Sequence, residues 1–323
     1  MRAVIYSSFG DPASVIELGE RPTPEPGPGQ VRVKMTRAAI HNHDLWTIRG
    51  SYGQRPALPA IGGSEGAGVV DALGEGVSHL KVGQRVAGFG AGTWSEHFVT
   101  LAAGAVPLPD AISDDAGCQL VAMPLSALVL LDTYAAEGDD FIVQNAANGA
   151  VGKTLARIAK VRGKNVLNLV RSEAGVRELE AQGIAGAIDT SKEDWRDQVK
   201  KAIGSAKIRC AIDSIGGQAS GDLCSLLASG GKLVAFGSMS GEPMKLDPGP
   251  FIFKQVVLEG FWLSKQNQPA PERMGALVTE LVKLVAGRQI ELPVAGVFSL
   301  DRAREAVTAS IGAARGGKIV LSP

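Results

Sequence analysis

The chain has 323 residues, with 33 Lys plus Arg set against 33 Asp plus Glu, and 41 glycines. That length exceeds what one core usually fills and predicts two domains. The charge balance leaves no net field to draw in nucleic acid or an anionic membrane, so neither is an expected partner.

Apolar runs such as Leu120 to Leu131 are too short to span a bilayer and contain Pro124 and Ser126. The first residues, Met1 to Tyr6, run straight into a strand pattern rather than a signal peptide, and the expected location is the cytoplasm. Cys118, Cys210 and Cys224 are widely spaced and odd in number. They fit neither a disulfide framework nor a CxxC metal knuckle and read as reduced core residues.

In chain order, short strands are expected at Arg2 to Ser7, Val31 to Ala39, Gly68 to Leu73, Arg85 to Phe89 and Trp94 to Val99. The proline-rich stretch Pro22 to Gly29 is neither helix nor central strand. This half reads as an all-β, barrel-like domain. From Pro124 the pattern changes: an apolar helix to Tyr134, then strands and amphipathic helices in alternation. The segments are Asp140 to Gln144, Gly152 to Arg162, Asn165 to Val170, Val176 to Gln182, Cys210 to Asp213 and Lys232 to Phe236. Such alternation predicts a parallel sheet. Helices near Met274 to Ala286 and Leu300 to Ala309 and a last strand Lys318 to Leu321 are expected to rejoin the first domain. The predicted division is therefore residues 1–120 with 275–323, and residues 121–274.

The most informative local motif is Phe141 to Gly152, FIVQNAANGAVG. An apolar strand enters a turn of small residues that opens an Ala-rich helix, in an AxGxxG form with Ala147 at the first glycine's place. Small residues let backbone approach a pyrophosphate, and unpaired amides at a helix start donate to its oxygens. Asn148, Gly149, Ala150, Val151 and Gly152 are therefore candidate cofactor contacts. The next strand ends at Arg171, where an NAD enzyme usually places an acid for the ribose hydroxyls. A guanidinium suits a 2′-phosphate instead, which points to NADPH, with Arg177 as a second cation. The alternative is a plain solvent-facing arginine. Further contacts are expected where strands end at the carboxyl edge of an open sheet: Ser214, Gly216, Phe236, Gly237 and Ser238, joined by Ser126.

Four segments carry a family resemblance: Asp44 to Tyr52 (DLWTIRGSY), Leu58 to Gly66 (LPAIGGSEG), Gln144 to Gly152 with Asn168 to Arg171, and Ile252 to Lys254 followed by Gly260 to Leu263. On these the chain resembles the medium-chain dehydrogenase/reductase superfamily over essentially its whole length. Within it the chain is most similar to the zinc-independent quinone oxidoreductase and mitochondrial-type 2-enoyl thioester reductase branch. The resemblance implies an α/β protein with a GroES-like β-rich catalytic domain and a doubly wound Rossmann domain, and a homodimer joined through the strand near Val256 to Leu263. Zinc alcohol dehydrogenases of the superfamily hold their catalytic metal with a cysteine and a histidine. This chain has His41 and Ser64 at those places and no four-cysteine lobe, so no metal is expected. An N/O cluster of His41, His43, Asp44 and Glu65 is the alternative; the simpler reading has both carboxylates bonding loop backbone.

Without a metal, hydride delivery to an enone still needs a proton donor. The resemblance makes Tyr52 that acid, sets Trp262 beside the thioester pocket and adds Asp44 to the cofactor contacts; Tyr52 also reads as an aromatic lid, and Trp262 as part of a buried strand. The chain departs from the enoyl reductases in two places. His41-Asn42-His43-Asp44 stands where they have Asn-Pro-Ser-Asp, which makes His41 a second candidate donor. Glu173 stands where many carry a second arginine after Arg171. The expected activity is NADPH-dependent reduction of trans-2-enoyl thioesters or related enones, with quinone reduction as the alternative and a noncatalytic NADPH-binding protein as the third reading.

Overall fold

The computed structural model describes residues 1–135, 137–266, 271–312 and 316–323. Two compact units emerge: Met1–Met123 with Val278–Pro323, and Pro124–Leu277. Among the described residues no helix is long and apolar enough to cross a membrane.

The first unit holds β1 (Arg2–Tyr6), β2 (Ile16–Glu20), β3 (Gln30–Ala39), β4 (Ala60–Ile61), β5 (Glu65–Leu73), β6 (Arg85–Phe89), β7 (His97–Leu101) and β8 (Val106–Pro107). The second holds β9 (Phe141–Gln144), β10 (Asn165–Val170), β11 (Ala187–Asp189), β12 (Ile208–Asp213), β13 (Lys232–Ala235) and β14 (Val257–Gly260). The chain then returns to the first unit with β15 (Val294–Ser299) and β16 (Lys318–Ser322).

In the first unit, β2-β1-β4 form a small sheet, and β15-β16-β3-β5-β6-β8 form a larger one that β7 joins against β3. The long strand β3 shows why: Val31, Val33 and Met35 are buried while Arg32 and Lys34 alternate outward, the period of a strand with one wet face. Trp94 is buried outright and donates Nε1–H to the Ala39 carbonyl at 3.1 Å. A Cβ at Gly63 would fall 2.2 Å from the Trp94 ring and one at Gly62 2.4 Å from it. Only glycine at both positions lets the strand run beneath the indole, and that seating fixes where Ser64 and Glu65 stand.

Trp94 is not in a strand, contrary to the expectation of Trp94 to Val99; β7 begins at His97. Its backbone is used elsewhere, accepting from Val4 N at 2.9 Å and donating to Gly62 O at 2.9 Å. The helix Asn42–Arg49 also went unforeseen, because NHDLWTIR carries too few apolar residues for a helical stripe. Caps define it instead. Asp44 Oδ2 accepts from the His41 amide at 2.8 Å, and Gly50 ends the helix in the left-handed region at φ 75°.

The second unit is a six-stranded parallel sheet in the order β11-β10-β9-β12-β13-β14. Strand order reverses between β9 and β12, the topological switch point where open α/β sheets bind ligands. The helix Ala150–Val161 buries Leu155, Ile158 and Ala159. Full burial of a Leu or Ile side chain contributes about 1.5–3 kcal/mol. A second apolar cluster around Val143, Leu167, Leu169, Trp195 and Leu233 fills the sheet. The helices Trp195–Ile203 and Gln218–Leu226 and strand β11 complete the alternation where the sequence reading left gaps.

Candidate functional site

Each unit presents a constellation. In the second, β9 ends at Gln144 and the chain turns through Ala146, which takes φ 47°, into Gly149, the cap of helix Ala150–Val161. The cap makes no side-chain hydrogen bond, and the first helical bond runs from Lys153 N to Gly149 O at 3.0 Å. The amides of Ala150, Val151 and Gly152 therefore have no acceptor within the helix. Asn148, Gly149 and Ala150 are exposed, so this end is open to an anion. A Cβ at Gly152 would lie 2.6 Å from Ala147 O and 2.7 Å from its Cα, backbone that cannot yield. The small residues thus serve two ends: Gly152 lets the helix close on the strand, and Gly149 leaves the turn bare.

Arg171 follows β10 directly and is exposed, with no ion pair among the described residues. Arg177, in contrast, pairs with Glu173 at 2.8 Å. Lys153 pairs with Glu178 at 2.5 Å, and Asn148 Nδ2 donates to the same carboxylate at 3.1 Å, which steadies the turn from below.

Past β12, Asp213 organises the loop that holds Ser214 and Gly216. It is fully buried. Its Oδ1 accepts from Asn145 Nδ2 at 2.7 Å, Ile215 N at 2.9 Å and Gly216 N at 3.0 Å, and its Oδ2 from Ser220 Oγ at 2.5 Å. Asn145 completes the tie by accepting from Ser214 N at 2.7 Å. The switch point is thus pinned from both strands. Phe236 and Gly237 hang from the same place, their amides donating to Asp213 O at 2.8 and 3.0 Å. A Cβ at Gly237 would sit 2.9 Å from Ser214 O. Beyond β14, Phe261 packs on Phe236 with ring centroids 5.8 Å apart, and half-buried Trp262 lies 5.9 Å below Lys265 Nζ.

The residues from Asn148 to Gly152, with Arg171, Ser214, Gly216, Phe236, Gly237 and Ser238, accordingly collect at the carboxyl ends of β9, β10, β12 and β13. Ser126 is buried in the first turn of the helix Met123–Tyr134. The bare amides and the unpaired guanidinium fit a dinucleotide carrying an extra phosphate.

In the first unit, the centre is built on the His41–Asp44 cap and the start of β5. His41 is fully buried, and its Nε2 lies 2.7 Å from Glu65 Oε2. Glu65 Oε1 accepts from the Val121 and Ala122 amides, the latter at 3.1 Å. Burial pushes Glu65 well above and His41 well below their ordinary ranges. His41, expected as a second candidate donor, has no exposed atom, and its Nε2 is committed to Glu65. Asp44, expected as a cofactor contact, is buried in the same way. It is 3% exposed, and both oxygens are engaged within the unit, Oδ2 by His41 N and Oδ1 by Ser64 Oγ at 2.6 Å.

The histidine that keeps an open face is His43. Its Nε2 lies 2.6 Å from Ser64 Oγ, its ring stacks on His41 at 5.0 Å, and Tyr52 lies 5.7 Å away on the segment after Gly50. Burial lowers its pKa, so it is neutral near pH 7. Sequence reasoning gave His43 and Ser64 no role of their own and did not single out Asn145 or Asp213. The available signal was a polar residue closing an apolar strand (IRCAID) ahead of a Ser-Ile-Gly-Gly loop. Among the described residues no group of three or more His, Cys, Asp or Glu is arranged to hold a metal.

Residues 27–110 match the alcohol dehydrogenase GroES-like domain family, and residues 150–281 match the zinc-binding dehydrogenase family. The only cysteines within that second stretch, Cys210 and Cys224, are free and buried. The chain is 32% identical to the human mitochondrial enoyl-[acyl-carrier-protein] reductase, over 96% of this chain and 86% of that protein. Its structure superposes on a protein of Bacillus thuringiensis assigned as an NADPH:quinone reductase with a TM-score of 0.91 at 28% identity, covering 100% and 98% of the two chains. The Candida tropicalis mitochondrial 2-enoyl thioester reductase heterodimer shares the fold, with a TM-score of 0.86 at 21% identity over 100% and 99%.

Proposed function

The chain belongs to the medium-chain dehydrogenase/reductase superfamily, in its zinc-independent branch, and from that premise we propose that it is an NADPH-dependent reductase of α,β-unsaturated carbonyl compounds, acting on trans-2-enoyl thioesters. The observation that carries the substrate class is the whole-length similarity to enoyl-acyl-carrier-protein reductases. The cofactor reading rests on the bare amides after Gly149 and the unpaired Arg171 guanidinium at the end of β10.

A reduced nicotinamide bound at the turn would supply a hydride to the β-carbon of the acceptor. The backbone amides of Ala150, Val151 and Gly152 would hold its pyrophosphate, and Arg171 would take the 2′-phosphate through paired N–H donors. Asp213 and Asn145 keep the loop of Ser214 and Gly216 in place, where it would meet the ribose. Tyr52 breaks its O–H bond to give the α-carbon its proton, and solvent refills the phenolate. Trp262 would meet the acyl chain of the substrate.

A second reading, quinone reduction, is favoured by the Bacillus thuringiensis neighbour. The deciding assay follows loss of reduced-nicotinamide absorbance with NADPH or NADH, giving a short trans-2-enoyl-CoA or a quinone, with chelator present throughout. Enoyl-CoA turnover with NADPH that Tyr52→Phe reduces supports the thioester reading. Quinone turnover alone moves the assignment, and cofactor binding without turnover of either makes the chain a noncatalytic NADPH binder. The reading also includes a homodimer through β14, whose outer edge has no neighbour in the sheet among the described residues and whose Val257 and Leu258 are exposed. A cytoplasmic location competes with the mitochondrial one that the relatives' names carry, and fractionation decides between them.

A further inference from the structure

The hydrogen bonds around Ser64 fix a proton that no diffraction experiment at ordinary resolution would show. Ser64 has one hydroxyl hydrogen, and Oγ gives it to Asp44 Oδ1 at 2.6 Å. The other oxygen of Asp44 already accepts the His41 amide, so the carboxyl group acts as acceptor on both sides. The second short contact of Ser64, 2.6 Å to His43 Nε2, must then carry its hydrogen on the nitrogen. A bare Nε2 would set two lone pairs against each other. The neutral ring is therefore the Nε2–H tautomer, with Nδ1 unprotonated and able only to accept. This removes one obvious role: a resting His43 has no hydrogen left to offer a developing oxyanion. The ring is stacked on buried His41 at 5.0 Å with an interplanar angle of 10° and flanked by Phe89 at 6.3 Å. The hydroxyl-bearing ring beside it is Tyr52, 5.7 Å away.

We propose that Asp44 and Ser64 lock His43 as a hydrogen-bond acceptor that positions the Tyr52 hydroxyl for proton delivery. His43 is thus a positioning residue, and its effect passes through Tyr52. The inference rests on the proposed role of Tyr52 in that same reaction.

The test is a double-mutant cycle on the full chain, with kcat and KM measured for NADPH and the accepted substrate. Tyr52→Phe is expected to lower kcat by about 10²–10⁴-fold, the usual span for a general acid. His43→Ala is expected to lower kcat by about 10-fold or more with KM within about 3-fold, and His43→Asn, which keeps a polar atom near the Nδ1 position, to recover part of the loss. In the Tyr52→Phe background His43→Ala should change kcat by less than about 2-fold. An equal loss in both backgrounds overturns the proposal, and so does a loss that appears only in KM. The lock is read separately by 15N NMR of the histidines: Nε2–H for His43 in the wild type, with Nδ1–H gaining population in Ser64→Ala. A wild type showing Nδ1–H refutes it. If the wild type turns over neither enoyl-CoA nor quinone, the functional reading fails, while the 15N result still decides the lock.

Discussion

Removing the Asp213 carboxylate tests whether a buried acceptor, rather than the loop's own sequence, builds the nucleotide crevice. Asp213→Ala takes the acceptor from Asn145 Nδ2, Ile215 N, Gly216 N and Ser220 Oγ. Ser220 can re-aim its hydroxyl, and Ile215 is only half-buried and can turn to water. Gly216 N and Asn145 Nδ2 have no such escape, and each buried donor left unsatisfied costs about 1–3 kcal/mol. The void adds to that, so a loss of about 3–5 kcal/mol in the second unit is expected. Asp213→Asn retains Oδ1 for three of the four donors and presents Nδ2 to a hydroxyl that can rotate to accept; about 1 kcal/mol is expected. Calorimetry with and without NADPH reads both effects. At about 2–4 °C per kcal/mol, Asp213→Ala should melt the second unit about 6–20 °C lower, with NADPH affinity weakened at least 10-fold as the Ser214–Gly216 loop loses its anchor. If Asp213→Ala melts within about 2 °C of wild type and binds NADPH with Kd within twofold, the carboxylate does not hold this loop.

Three further outcomes are expected. Gly152→Ala puts a Cβ 2.6 Å from Ala147 O, so the helix must shift off the strand; fluorescence titration should show NADPH binding lost, and thermal unfolding should show the unit weakened by about 1–3 kcal/mol. Arg171→Ala should raise Kd for NADPH about 10-fold or more while leaving NADH nearly unchanged, and equal losses for both would remove Arg171 from the 2′-phosphate. The folded pKa of His43 lies below its unfolded value because of burial. As pH falls below about 6.5 the unfolded chain gains a proton that the folded one refuses, so stability drops by up to about 1.4 kcal/mol per pH unit until the folded pKa is reached. Denaturant melts across pH 5–8 should show a steeper slope in the wild type than in His43→Asn, buried His41 supplying its own share in both.

The nucleotide turn was legible in the sequence because all its determinants are contiguous. An apolar strand, small residues and a helix start follow one another from Phe141 to Val161, and the helix-start amides are bare whatever the rest of the chain does. Arg171 was legible for the same reason, standing one residue past β10. The polar centre of the first unit was not. Of two histidines two residues apart, burial decides which is structural and which has an open face, and burial depends on where β5 seats beneath Trp94. His41 meets Glu65 across 24 residues and His43 meets Ser64 across 21. Neither pairing follows from local spacing. Asp213 shows the same division. The sequence determined that a strand ends there, but only the packed sheet brought Asn145, 68 residues earlier, within 2.7 Å of its carboxylate. Local chemistry thus set which groups were available, while long-range packing decided which were spent on the fold and which remained for a ligand, since a buried polar group must be satisfied by whatever the tertiary structure brings to it.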